Sequence, residues 1–419
     1  MAYTETTTTS YGSRVASSFK GILTGIVLFI GATILLWWNE GRAVKTTKML
    51  KEAQGVTIMM ENPETKDASF EGELVCATAM ALTEDFLTDD QYGIRENAIG
   101  LCRKVEYYQY VEDKHEETRD KIGGGQETIT TYTYSKKWVS RPVDSYKFKD
   151  PSYKGENFVL SDVEDQSVWA QNVSFGAYYL PDNLIRSISS RENIELNPGN
   201  EILNNLNNRT KSAYESYKGK LPISADSTSA EIIHIDGNEL YYGLTPNAPQ
   251  IGDVRVRFEK VVPAKVTIIA QVTGNTFKPY KAKNDKTFST LVMGQQSIEE
   301  IYEGEHQTNA MWTWILRILG VILVISGLKG IFGIVETLFK VLPFLANIMG
   351  FGIKIVCSVI GFAWSLIIIA LAWVFYRPVL GIALLIVAGG LIWLFAFKGK
   401  DKIKGMTNKN DIPAQPASN

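Results

Sequence analysis

From Gly21 to Trp38 the chain runs for 18 residues without a charged side chain, then passes directly into Asn39, Glu40, Gly41 and Arg42. Backbone polar groups inside hydrocarbon have no water to bond, so a stretch of this length and apolarity has one solution, a helix. At about 1.5 Å of rise per residue, the run and its flanking Phe19 come close to crossing a hydrocarbon layer of about 30 Å. A cleavable export signal has a shorter apolar core, about 7 to 15 residues, and small residues at the cleavage point. Trp37-Trp38-Asn39-Glu40 offers no such point, so the segment reads as a permanent anchor. Its tryptophan pair suits the headgroup layer, where an amphipathic ring has its body in lipid and its N–H in water.

The rest of the apolar content lies at the other end. Met311 to Phe397 contains only six charged residues, Arg317, Lys329, Glu336, Lys340, Lys354 and Arg377. Between the two ends the chain has the composition of a water-soluble domain. The pattern is that of a membrane protein with one large aqueous body. Residues 39–310 carry 31 basic and 41 acidic side chains. This acidic balance argues against a grip on nucleic acid.

Three further spans are expected, over 311–332, 355–375 and 379–397, with the first span over 19–38. Trp312, Trp314 and Arg317 near the start of the second, and Arg377 between the last two, are interface anchors in this reading, with Trp37 and Trp38. Arg317 lies close enough to the aqueous end for its stem to snorkel; the competing reading pairs it between helices. Pro378 ends a helix, so Tyr376-Arg377-Pro378 forms a tight hairpin.

The stretch 333–354 is apolar but interrupted by Glu336, Lys340, Asn347 and Lys354, with Pro343 and Gly350 at intervening steps of three and four residues. That spacing puts the charges on one helical face. An amphipathic helix in the headgroup plane would wet this stripe; a spanning helix would instead turn it toward a bundle interior or pore. Lysines at 398, 400, 402 and 404 put the C-tail in the cytoplasm by the positive-inside tendency. Four spans then return the N-tail there as well, although Arg42, Lys45, Lys48 and Lys51 follow the first span on the far side.

Period-two alternation dominates the aqueous body. A long hairpin is expected from strands near Val105–Val111 and Thr128–Val139 around a charged tip with Gly123 to Gly125, and a second turns at Asp236-Gly237. Helical periodicity is confined to Arg42–Ala53 and Asn183–Ser189. A faint echo, "AIGLCRKVEY" at 98–107 and "QIGDVRVRFE" at 250–259, raises the idea of two related modules. The fold class expected is therefore a membrane protein with four transmembrane helices plus an interfacial amphipathic helix, and a large α+β, mostly antiparallel β, extramembrane domain.

Chemistry is sparse. Cys76 and Cys102 are either one disulfide or two buried thiols, and the cysteines and histidines have no metal-site spacing. Phosphate loops, Gly-x-Ser-x-Gly and His-Glu-x-x-His are missing, so no catalytic, cofactor-binding or metal-binding residue is assigned. Asn172-Val-Ser and Asn208-Arg-Thr match the glycan acceptor pattern, which has meaning only in a eukaryotic host.

Several short stretches, "NEGRAVKT" from Asn39, "QYG" from Gln91, "VEYYQYVE" from Val105, "YTYSKKW" from Tyr132, "IGDVRVRF" from Ile251, "WILR" from Trp314 and "FYRP" from Phe375, resemble in order and spacing the LUMA, or transmembrane protein 43, family. The resemblance implies four spans, cytoplasmic termini and a lumenal domain. In animals it implies residence in the endoplasmic reticulum and inner nuclear membrane, self-association, and nuclear-envelope partners such as lamins and emerin. No enzyme chemistry comes with it. The sparse cysteines and short tails fit a prokaryotic member, in which nuclear partners cannot apply and the domain faces the periplasm or the exterior.

The organisation expected is a disordered cytoplasmic N-tail (1–18), a first span (19–38), an extracytoplasmic β-rich domain (39–310), the second span (311–332), the amphipathic helix (333–354), the remaining spans (355–375 and 379–397) and a disordered Lys-rich C-tail (398–419). The expected function is a non-enzymatic integral membrane scaffold that forms a homo-oligomer and organises membrane proteins or lipids, without cofactors. The alternative is an oligomeric channel or transporter whose path is lined by Glu336, Lys340 and Asn347.

Overall fold

The computed structural model describes residues 2–217, 231–339, 343–379 and 386, with side chains not described over 343–349. These residues divide into two compact units, one of residues 2–11, 48–217 and 231–306, the other of 12–47, 307–339, 343–379 and 386.

The first unit is built on two main sheets. One contains, in order, β1 (Ala2–Thr9), β4 (Gln126–Val139), β3 (Gly100–Asp120), β7 (Val254–Val261), β6 (Glu239–Tyr242) and β5 (Ile233–Asp236). Its long hairpin β3–β4 pairs from Tyr107 opposite Val139 to Asp120 opposite Gln126, so the acidic run expected as a loop tip is itself strand. Gly237 at φ 56° makes the turn between β5 and β6. The buried face of this sheet packs Leu101, Val105, Tyr107, Leu240, Val254, Val256 and Phe258 against Leu206 and Tyr214. Those last two lie on α2 (Asn200–Ser216), a helix that the asparagine-rich sequence hid.

The second sheet centres on β2 (Leu74–Thr83) beside β8 (Ala264–Thr273), which pairs in turn with β9 (Thr290–Met293). Alternation along β2 sends Val75, Ala77, Ala79 and Ala81 into one core with Phe175, Tyr178 and Ile268. Leu74 and Cys76 point the other way, against Met49, Leu50, Ala53, Ile301 and Tyr302. Cys76 and Cys102 are free, buried thiols, and burial with the nearby Glu299 charge pushes Cys76 up to about 11.

The motif "QYG" has local structural work here. Tyr92 of "QYG" is buried, shares a 2.8 Å hydrogen bond with the Tyr242 hydroxyl and stacks edge-on against Phe258. Gly93 has φ 66°, and a Cβ there would stand 2.3 Å from Ile202 Cδ1, so only glycine fits without displacement. The sequence echo is not a structural repeat. Its two copies are neighbouring strands, Val105 opposite Val256, but Val105 is buried whereas Arg257, its aligned counterpart, lies on the other face. An even offset that exchanges inside for outside cannot be a duplicated module.

The second unit consists of helices. α1 (Tyr11–Val56) extends well beyond the expected 19–38 at both ends, and α3 (Ile298–Phe339) beyond 311–332. With α4 (Pro343–Tyr376), they are, among the described residues, three helices long and apolar enough to cross a membrane. The stretch 333–354 is not one interfacial helix: its first part ends α3 and its last part begins α4. Glu336 of α3 lies against Gly350 of α4, a contact that one straight helix, in which residues that far apart are about 21 Å distant, could not make. The expected span 379–397 falls almost entirely outside the described residues, and the tail 398–419 wholly so.

The N-tail departs from expectation in a second way. Residues 2–9 form β1, antiparallel to β4 from Ala2 opposite Thr133 to Thr9 opposite Gln126. Low apolar content suggested disorder, but an edge strand needs only its backbone ladder and β-branched side chains, which Thr4 and Thr6 to Thr9 supply. Tyr3 lies 6.2 Å from the Tyr132 ring, and Tyr11 fills the space beside Gly124. The expected separation of residues 1–18 from 39–310 by a bilayer would keep these two strands apart, and cross-linking decides between the two arrangements. The variant Thr6→Cys/Ile129→Cys, opposite one another in this ladder, is expected to form an intramolecular cross-link on mild oxidation in native membranes. Absence of the cross-link, with each thiol labelled only from opposite faces, would restore the separation.

Candidate functional site: a buried polar lock among the helices

α1 and α3 run antiparallel with their backbones almost touching. A Cβ on Gly25 would meet Gly327 O at 2.6 Å, and one on Gly327 would meet Phe29 N at 2.7 Å. Without a hydrophobic drive between helices in lipid, this close approach through small residues is how their surfaces gain van der Waals contact. Ser18 Oγ donates to Thr337 Oγ1 at 2.9 Å at one end of the pair. α4 packs beside them, its Trp364 indole donating to Thr33 Oγ1 at 3.1 Å and its Gly361 lying against Ile325.

The charged groups gather at the end of α1 that carries Trp37 and Trp38. Glu40 is fully buried, and Arg317 grips it with two parallel bonds, Nε to Oε1 at 2.6 Å and Nη2 to Oε2 at 2.8 Å. Trp373 Nε1 adds a third donor to Oε2 at 2.7 Å. The guanidinium is held between two rings, 4.9 Å from the Trp314 centroid and 5.5 Å from that of Trp373. The planar fork of arginine matches a carboxylate in this way, and its weak hydration makes burial between indoles tolerable. Arg317 therefore pairs between helices, and the snorkelling expectation is corrected: with a side chain 14% exposed, its charge is met by Glu40 rather than by water.

One turn along, Asn39 donates to Thr313 O at 3.0 Å, and its Oδ1 accepts from Arg42 Nε and Nη2. Arg42 also reaches Asn309 Oδ1 at 3.1 Å and Thr313 Oγ1 at 2.9 Å. Asn309 returns its amide to Ala43 O and Thr47 Oγ1. Gly41 is required by contact, since a Cβ there would stand 2.7 Å from Tyr376 Cζ. Three separate motifs, "NEGR", "WILR" and "FYRP", thus close on one cluster.

Of the expected interface anchors, Trp38, Trp312 and Trp314 are 53%, 50% and 61% exposed, consistent with rings turned outward. Trp37 is half-buried instead, packed against Phe375 and Tyr376 at 5.6 and 5.9 Å. Arg377 is half-buried, with its backbone N–H bonded to Trp373 O at 2.7 Å. The polar stripe is not one surface. Glu336 on α3 lies against Gly350 of α4, Lys354 is exposed, and both Lys340 and the Asn347 side chain lie outside the described residues. Sequence reasoning missed Glu40, Asn39, Arg42, Asn309, Thr313 and Trp373 as partners. The available signal was two opposite charges, Glu40 and Arg317, each bordering an apolar run.

Chemically the cluster fastens helices together, because its carboxylate already accepts from three donors. Breaking a buried pair leaves an uncompensated charge, which costs about 3–5 kcal/mol. Arg317→Met is accordingly expected to lower the thermal stability of the purified protein in lipid by that amount. Glu40→Gln/Arg317→Met should be more stable than Arg317→Met alone; strictly additive losses would show that the two residues do not act as a pair.

The model of the family described as Transmembrane protein 43 matches residues 107–378. Transmembrane protein 43 of Rattus norvegicus is 29% identical over 380 residues, covering 87% of this chain and 86% of its own. That of Mus musculus is 29% identical over 376 residues, with the same coverage. The Drosophila melanogaster homolog is 26% identical over 392 residues, covering 92% of this chain and 96% of its own. No solved structure matches. The matched region takes in the β3–β4 hairpin from Tyr107 onward, β5 to β9, and the "WILR" and "FYRP" arms of the lock, and the chain belongs to the Transmembrane protein 43 family.

Proposed function

We propose that this protein is a non-enzymatic membrane scaffold that self-associates and arranges other membrane proteins or lipids through its β-rich body, held on the extracytoplasmic side. The observation that carries this reading is the lock itself. Its charged groups all have partners within it, Glu40 in Arg317 and Trp373, and the half-buried Arg42 in Asn39, Asn309 and Thr313. Such a cluster fixes geometry and leaves no free acid or base in its own structure, which suits a protein whose output is position. The outward faces of the helices are apolar along their length, with Leu23, Val27, Ile30 and Ile34 of α1 and Ile318 and Ile322 of α3 turned away from the bundle. Lipid is the natural partner for those faces, and other membrane helices compete for the same surface.

The body offers the second requirement of a scaffold, a stiff extended element. β3 and β4 form a paired ribbon whose outer part carries Glu112 to Asp120, cross-braced by Lys137 to Asp113 at 3.0 Å and Lys121 to Glu127 at 2.6 Å. His115 is exposed on this ribbon, 3.8 Å from Glu117. The acidic balance of the body favours protein partners with basic surfaces and disfavours nucleic acid. Native mass measurement of the intact protein released from its own membrane in lipid nanodiscs is expected to show a multiple of the protomer mass. A protomer-only distribution at every protein-to-lipid ratio would reject self-association.

A further inference from the structure

The β body contains one carboxylate whose surroundings differ from those of every ion pair described above. Asp253, at the start of β7 in "IGDVRVRF", is 3% exposed. Its Oδ2 accepts from the Tyr241 hydroxyl and from Gln250 N–H, the latter at 2.7 Å. Its carboxyl lies where a side chain on Gly243 would be: a Cβ on that residue would come within 2.5 Å of Asp253 Cγ. The backbone of Asp253 is tied as well, N–H to Gln250 O and O to Tyr108 N–H. The loop from Gly243 to Gly252 is therefore closed on itself by a single side chain, assisted by Tyr241 reaching Thr245 O at 3.4 Å.

We propose that Asp253 is a protonation-controlled latch: neutral, it holds the 243–252 loop shut, and ionised, it loosens that loop. Apart from Gln250 N–H, the groups facing its carboxyl are the phenols of Tyr241 from β6 and Tyr214 from α2, while its backbone O accepts from Tyr108 N–H of β3. Glu239 and the ring of His234 lie beyond Tyr241, the latter with its Nε2 buried and without a hydrogen-bond partner. Among the described residues no lysine or arginine compensates the carboxylate, in contrast to Arg103 on Asp89 at 2.7 Å. Burial accordingly pushes Asp253 up to about 7, and the two donors only partly oppose this.

The sign follows from linkage. A carboxyl whose folded pKa exceeds its unfolded value contributes stability fully below about 4, and that contribution is lost as pH rises through about 7. The loop also bears on the core. Gly252, at φ 98°, lies against the Phe158 ring, and its carbonyl accepts from Leu160 N–H at 2.8 Å. Phe158 stacks in turn on Tyr217 at 4.4 Å, so an open latch uncovers an aromatic pair.

The test is amide hydrogen exchange of the full-length protein in lipid at pH 6 and pH 8, corrected for intrinsic exchange. Residues 243–253 should open about tenfold more often at pH 8, while β2 and β8 stay unchanged. Asp253→Asn, which retains both acceptor contacts without the charge, should hold the loop at its pH 6 protection throughout. Equal wild-type protection at the two pH values would overturn the latch, and so would pH dependence persisting in Asp253→Asn, which assigns the effect to His234. If that variant does not fold, Tyr241→Phe removes a donor to the ionised form and should move the midpoint to higher pH; an unmoved midpoint overturns the proposal.

Discussion

The described helices of the second unit are organised around one fully buried carboxylate. A charge at the edge of hydrocarbon is costly in isolation, and attraction to a cation repays that cost only when geometry is good and the remaining lone pairs are filled. Glu40 meets both conditions, with a bidentate guanidinium and an indole N–H. Each partner comes from a different helix, so the requirement of one side chain fixes the relative height of three. Gly25 and Gly327 then allow α1 and α3 to approach closely enough for that height to be held by packing.

Much of this was legible in the chain, and what was not failed for identifiable reasons. Hydrocarbon length and charge depletion are robust signals, so the apolar cores of α1, α3 and α4 could be read directly, as could the β3–β4 hairpin and the Asp236-Gly237 turn. Boundaries were less accessible: helical periodicity over Arg42–Ala53 was legible, but its continuity with the first span was not, and Met49, Leu50 and Ala53 carry α1 into a core as far as Val56. The regular spacing from Glu336 to Lys354 was real but did not belong to a single helix. Periodicity cannot see a break when the residues beyond it resume the same phase.

The lock illustrates a different limit. Arg317 was visible as an anomaly, a cation inside an apolar run, and so was Glu40 at the border of another. Their partnership depends on tertiary pairing over 277 residues of sequence, which spacing does not encode. The same holds for Asp253, an unremarkable acid in an alternating strand until Gly243 and Tyr241 are brought against it. The acids around His115, expected in a hairpin tip, lie instead on the outer part of a paired ribbon.

That long sequence separation sets a timetable for biosynthesis. Glu40 enters the bilayer region at the start of translation, while Arg317 is still to be made; at about 5–20 residues per second the interval is roughly 15 to 55 seconds. Trp373 and Tyr376 arrive later still. During that interval Glu40 has none of its mature donors, so the lock closes only after the last of its three helices has been made.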